Sequence, residues 1–260
     1  MTDDLEGLAA LARRAGDLIM AIYEEGFETS RKADGSAVTI ADEKAEALIL
    51  GGLATLYPGT PVLAEEAASR GEVPRLERRF LLVDPLDGTR EFVNRTGEFT
   101  VNIAVVEDAV AVAGVVLAPA TDRLFAGQVG RGAWQETGGE RRALRVRPRA
   151  QGRLTAVASR SHRSPETQAF LDDLGVTDFE PAGSSLKFCL VAAGEADVYP
   201  RLGRTMEWDT GAGQAVLEAA GGQVNVLDES GREGGPLRYA KAHRGYDNPH
   251  FIAWGERTPA

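Results

Sequence analysis

The sequence predicts a layered α/β fold in two packed halves. Strand-like apolar runs alternate with segments of helical period. A buried-looking run over residues 80–83 ends abruptly in Asp84-Pro85. The composition, 43% hydrophobic and 26% charged over 260 residues, is that of a soluble globular chain able to bury a sizeable core. Residues 1–148 form the mixed α+β half and residues 149–260 a smaller α/β half. The basic, proline-containing stretch 145–152 is the joint between them.

Leu8, Leu11, Ala15, Leu18 and Ile22 recur at the spacing of one helix face, with Gly26 as the stop. A second helix spans 41–56; Thr39 and Asp42 match a capping box at its start. Residues 61–64 read as a short strand delivering Glu65-Glu66 at its end, although an acidic pair in a loop also reads as a solvated face. Residues 98–107 alternate, Asp108 turns the chain, and 110–117 return, which predicts an antiparallel hairpin. A strand near Leu124 and Phe125 precedes the turn Gly130-Arg131-Gly132. In the second half the pattern predicts strand 154–158, helix 165–174, helix 184–193 closed by Gly194, strand 196–199 and helix 210–220.

Asp84-Pro85-Leu86-Asp87-Gly88-Thr89 carries the most chemistry. Pro85 stops the strand, Asp87 is placed to cap a helix starting at Gly88, and the amides of Gly88 and Thr89 face an anion at that helix N-terminus. Carboxylates beside an anion site repel a phosphate unless hard cations lie between them, and Mg²⁺ suits all-oxygen ligands. A metal-dependent phosphatase site is expected. Glu65 is a metal-ligand candidate because Asp84 and Asp87 need partners. Asp209 precedes an apolar helix as N-cap and ligand at once, Trp208 is either a core aromatic or a wall beside it, and Asp42 is placed to orient Thr89.

A formal net charge of −10 disfavours a nucleic-acid backbone or an anionic membrane as partner. The single cysteine, Cys189, excludes an intrachain disulfide and a Cys-based metal cluster, and is expected in the core. The acidic start lacks the basic region of a secretory signal. Residues 109–120 are too short for a membrane span and are interrupted by Gly114 and Pro119.

Taken together, Val38-Thr39-Ile40-Ala41-Asp42, Glu65-Glu66, the hexapeptide at 84–89 and Trp208-Asp209-Thr210 resemble the signature segments of the lithium-sensitive, magnesium-dependent phosphatases that include inositol monophosphatase and fructose-1,6-bisphosphatase. The match spans nearly the whole chain. Arg90-Glu91-Phe92, residues 97–104, Ser159-Arg160-Ser161-His162, residues 183–189 and Tyr199-Pro200-Arg201 are similar to the 3'(2'),5'-bisphosphate nucleotidases of the CysQ type.

The resemblance implies an αβαβα sandwich and two or three Mg²⁺ ions. Glu65, Asp84 and the Leu86 carbonyl would hold one; Asp84, Asp87 and Asp209 would hold another, with Asp84 bridging. Gly88 and Thr89 would bind phosphate. Glu65 and Thr89 would place a water activated by the cation, with Asp42 accepting from the Thr89 hydroxyl. Lys187 and Arg201, ordinary surface charges without the family match, would neutralise a second phosphate. His162 and Ser184 would line the nucleoside pocket, and Arg160 is a further cation. The implied reaction is removal of the 3'-phosphate of adenosine 3',5'-bisphosphate to give AMP, with the sulfated analogue PAPS as a second substrate. Inositol monophosphates, sugar bisphosphates, or nucleotide binding without catalysis are the alternatives. A small-molecule substrate, no nucleic-acid polymer, no integral membrane association and a cytoplasmic location are expected, with peripheral membrane attachment and oligomeric state left open.

Overall fold

The computed structural model describes residues 3–31, 37–148, 153–158 and 165–256. The first helix, α1 (Leu5–Glu25), is capped by Asp4, whose Oδ1 accepts from the Gly7 N–H at 2.8 Å, and ends at Gly26. Its buried stripe runs through Leu8, Leu11, Ala12, Ala15 and Ile19. Leu18 and Ile22, expected on that stripe, are half-buried at its edge. A short antiparallel ribbon, β1 (Thr29–Arg31) with β2 (Ala37–Thr39), leads into α2 (Ile40–Leu56).

The chain then builds β3 (Val62–Ala64), α3 (Glu65–Ser69), β4 (Arg79–Asp87), α4 (Thr89–Val93), β5 (Thr100–Glu107), β6 (Val110–Ala118), β7 (Arg123–Gln128), β8 (Gly132–Thr137) and β9 (Glu140–Leu144). Strands β3 to β9 lie in sequence order in one seven-stranded sheet, β3 parallel to β4 and the rest antiparallel. The expected hairpin is β5–β6, closed by Asp108 and Ala109, both at positive φ as a two-residue hairpin turn of matching twist demands.

The second half contributes β10 (Leu154–Ala158), α5 (Pro165–Asp173), β11 (Val176–Pro181), α6 (Leu186–Ala192), β12 (Val198–Arg201), α7 (Glu207–Ala219), β13 (Gln223–Leu227), β14 (Glu233–Pro236) and β15 (Phe251–Trp254). Its six strands are ordered β11-β10-β12-β15-β13-β14.

Alternation along the strands sorts the core into layers. Leu81, Val83, Ile103, Val105 and Val115 face α1 and α2, whereas Phe80, Leu82, Ala104 and Phe125 face the opposite way and meet Phe188 of α6 and Ala212, Ala215 and Val216 of α7. The same α6–α7 layer packs on Tyr199, Val224 and Phe251 of the six-stranded sheet. Leu171 of α5 closes the far face with Leu154, Val198 and Ile252. The order is therefore αβαβα. Helix α7 approaches the first sheet so closely that a Cβ at Gly114 would lie 2.4 Å from the Ala212 carbonyl oxygen.

Two expectations at the strand end are corrected. Pro85 does not stop β4, which continues to Asp87: Asp84 pairs with Asn102 and Asp87 with Thr100, so three steps on β4 oppose two on β5 and a bulge absorbs the proline. Asp87 does not cap α4, because Gly88 occupies that position with no side-chain cap and the Asp87 carboxylate is engaged elsewhere. In the second half, α7 begins three residues earlier than expected, at Glu207, so Asp209 is a first-turn residue and not the N-cap, which is Met206.

Candidate active site

The bulge in β4 aims Asp84 and Asp87 off the same strand end. Asp84, 1% exposed, accepts from the Leu86 N–H at 3.0 Å through Oδ1. Gly88 follows at φ 93°, ψ 39°, and a Cβ there would stand 3.1 Å from the Glu98 carbonyl oxygen, so the turn tolerates only glycine comfortably. This places Thr89 at the start of α4. Its hydroxyl donates to Asp42 Oδ1 at 3.0 Å, with the Leu86 carbonyl at 3.3 Å.

Asp42 comes from the first turn of α2. Its other oxygen, Oδ2, accepts from both the backbone N–H and the hydroxyl of Thr39, each at 2.8 Å, completing the expected capping box. The carboxylate is thereby fixed on one side by its own helix and presents Oδ1 to Thr89. One turn on, buried Glu46 accepts from the Glu66 N–H at 2.7 Å. Glu65 opens α3 where β3 ends.

The second half supplies the rest. Ser184, at φ 53°, donates through Oγ to Asp87 Oδ2 at 2.5 Å, and the Ser185 N–H and Oγ approach the same oxygen at 2.8 and 2.9 Å. Ser185 Oγ also lies 2.5 Å from the Asp209 carbonyl oxygen and 2.9 Å from Asn102 Nδ2. Asp209 Oδ2 accepts from the Met206 N–H at 2.8 Å, tying the side chain to its helix start. The Oδ1 oxygens of Asp87 and Asp209 take part in none of these bonds.

Electrostatics show the four acidic residues to be neighbours. Burial first, then the charges of Glu65, Asp87 and Asp209 and a hydrogen bond with Glu65, hold the Asp84 carboxyl well above the usual carboxylate range. Burial, then Asp87 and Glu65, raises Asp209 likewise, against the Met206 N–H and the charge of Arg201. No three His, Cys, Asp or Glu side chains among the described residues are closed into a ready ligand cluster. Asp87 and Asp209 each turn one oxygen to protein donors instead. Like charges packed in a part-buried site around the buried Asp84, with an oxygen of Asp87 and of Asp209 outside these bonds, make a donor set suited to a hard cation.

Lys187 is not on the surface. It is 6% exposed, its Nζ donates to the Ser184 carbonyl at 2.7 Å and lies 5.5 Å from the Tyr199 ring centroid, and burial pulls its pKa down to about 8 against the pull of Asp87. Helix α6 has no wet face for it: residues 187–192 are all buried. Arg201, half-buried, donates from one terminal nitrogen to the Arg204 carbonyl at 3.1 Å, while its buried Nε has no protein acceptor. His162 and Arg160 lie outside the described residues. Trp208, 8% exposed, joins the layer between the sheets.

The profile of the inositol monophosphatase family matches residues 2–253. The chain belongs to this family. Among its relatives, the 3'(2'),5'-bisphosphate nucleotidase CysQ of Salmonella typhimurium is 47% identical over 236 residues, covering 88% of this chain and 95% of that protein. CysQ of Escherichia coli K12 is 44% identical over 249 residues, covering 95% and 98%. The crystal structure of CysQ from Bacteroides thetaiotaomicron superposes with a TM-score of 0.78 at 38% identity, covering 97% of this chain and 98% of that one. An inositol monophosphatase from Thermotoga maritima gives 0.77 at 27% identity, covering 97% and 92%. The αβαβα order is thus the family's fold.

Three members of the site escaped the sequence reading: Glu46, Asn102 and Ser185. Asn102 carried a signal, a polar residue inside the apolar alternation of β5 that is 1% exposed here. Glu46 carried none, because an acidic residue inside a helix ordinarily reads as solvated.

Proposed function

We propose that this protein removes the 3'-phosphate of adenosine 3',5'-bisphosphate, giving AMP and inorganic phosphate, with PAPS as a further substrate. The observation that carries the reading is the gathering of Glu65, Asp84, Asp87 and Asp209 beside the Thr89–Asp42 pair, in a chain 44–47% identical to CysQ nucleotidases.

Glu65, Asp84, the Leu86 carbonyl, Asp87 and Asp209 would hold two or three Mg²⁺ ions. When bound, these supply the charge that offsets phosphate against carboxylate and raise the acidity of a water. The protein's own groups do the rest. The Thr89 hydroxyl donates its hydrogen bond to Asp42, so its oxygen lone pairs are left to accept from and orient the attacking water, and Glu65 takes the second position on that water. The Gly88 and Thr89 amides face the phosphate oxygens. The departing ribose oxygen takes its proton from solvent.

The second phosphate is met by Arg201, whose Nε has no protein acceptor, with the buried Lys187 charge behind it. Ser184 borders the nucleoside, and the resemblance implies the same role for His162. The deciding experiment is phosphate release from adenosine 3',5'-bisphosphate and from inositol 1-phosphate at matched Mg²⁺. The nucleotide is expected to turn over faster by a wide margin. Equal or better release from inositol 1-phosphate would overturn the substrate assignment, and nucleotide binding without Mg²⁺-dependent turnover would overturn the catalytic one.

A further inference from the structure

Asp42 and Glu46 are four residues apart on α2 and so share one helix face. Asp42 uses that face to hold Thr89. Glu46, 2% exposed, uses it to reach a different segment, accepting at Oε2 from the Glu66 N–H at 2.7 Å and, through the same carboxylate, from the backbone of Ala67.

Helix α3 needs this. It is five residues long, and its N-cap, Ala64, offers no side-chain acceptor to the first amides. The peptide joining Glu65 to Glu66 is planar, so anchoring the Glu66 N–H also fixes the Cα from which the Glu65 side chain departs. The salt bridge to Arg70 does not account for the burial of Glu46. Arg70 meets it only at 3.4 Å, stays half exposed, and shares itself with Glu72 at 3.3 Å.

We propose that Glu46 is a positioning residue for the metal site, setting Glu65 from the same face of α2 that sets Thr89. One helix would then align both groups that place the attacking water. This rests on the proposed function for the metal-ligand role of Glu65 and for the identity of the water.

The test contrasts two variants in Mg²⁺ calorimetry on substrate-free protein, with melting temperatures recorded alongside. Glu46→Asp keeps the charge but is a methylene too short to reach the Glu66 N–H, and is expected to weaken Mg²⁺ binding about tenfold, as loss of a group supporting a metal ligand does. Glu46→Gln keeps length and an acceptor oxygen but drops the charge, and is expected to stay within about threefold of the unsubstituted protein on the same scale. The reverse order would mean that only the charge matters and would overturn the proposal. Unchanged Mg²⁺ affinity in both variants, whatever their melting temperatures, would also overturn it. Should Glu46→Asp fail to fold, Glu46→Gln decides alone, since a tenfold loss there contradicts positioning. Nucleotide turnover by the unsubstituted protein is measured separately, so failure of the functional reading is distinguishable from failure of this one.

Discussion

Ser185→Ala isolates the joint between the two halves of the site. The hydroxyl has one proton and two nearby acceptors, Asp87 Oδ2 at 2.9 Å and the Asp209 carbonyl at 2.5 Å, while it accepts from Asn102 Nδ2 at 2.9 Å. Removing it deletes one hydrogen bond to a charged or strongly polar acceptor, worth about 1.5–3 kcal/mol. Asn102 Nδ2, buried, is left with only Asp87 Oδ2 at 3.5 Å, a contact too long to replace what was lost. A further cost of about 1 kcal/mol follows from that poorly satisfied donor. The sum, about 2.5–4 kcal/mol, corresponds to a fall in melting temperature of roughly 5–16 °C at about 2–4 °C per kcal/mol for a chain of this size. Asp87 retains the Ser184 hydroxyl and the Ser185 N–H, so the carboxylate loosens without being released. Half-saturation by Mg²⁺ in a phosphate-release assay should therefore rise about tenfold, with turnover at saturating Mg²⁺ close to that of the unsubstituted protein. Differential scanning fluorimetry and a Mg²⁺ titration measure both. A melting temperature within 2 °C of the original, together with an unchanged Mg²⁺ requirement, would refute the idea that the hydroxyl ties the two halves together.

Further outcomes are expected. Burial and neighbouring charge raise the Asp84 and Asp209 carboxyls in the Mg²⁺-free protein; between their unfolded and folded pKa values the native state binds more protons, so stability should fall as pH rises through that window. Added Mg²⁺ should raise the melting temperature more at pH 8 than at pH 5, and Asp84→Asn should stabilise the Mg²⁺-free protein, abolish that gain and cut turnover by about three orders of magnitude, all measurable by melting curves and phosphate release. Arg201→Ala should raise KM for the bisphosphate nucleotide at least about tenfold while leaving hydrolysis of a simple phosphomonoester within about twofold, because only the former loses a charge-assisted contact; equal loss on both would remove Arg201 from the second phosphate.

The legible parts of the fold were those written in local spacing. The Thr39–Asp42 capping box, the hairpin at Asp108 and the strand leading to Asp84 each announce themselves within a few residues. The hairpin β8–β9 was not among them, because its strand β9 is exposed and charged, which hid it from hydrophobic periodicity. Strands β11 and β13 to β15 were missed because they are short and owe their form to neighbours in the sheet. Pro85 misled because a bulge, a property of two paired strands, decides whether a proline ends one of them. Lys187 misled for a related reason: burial was decided by the two sheets that enclose α6, not by the residue type. Ser185 meets Asp87 across ninety-eight positions of chain, a distance at which spacing carries no information.

Helices α6 and α7 form a layer touched by both sheets, and this has a consequence for how the molecule comes into being. A growing chain that has reached Leu144 already carries Asp84 and Asp87, yet it lacks the serines that steady Asp87 and the carboxylate of Asp209. It also lacks the cover for Phe80, Leu82 and Phe125, which would stand bare to water. Neither half is a lesser version of the whole. The nascent polypeptide should stay chemically silent, and greasy on one side, until α7 has been made and folded down.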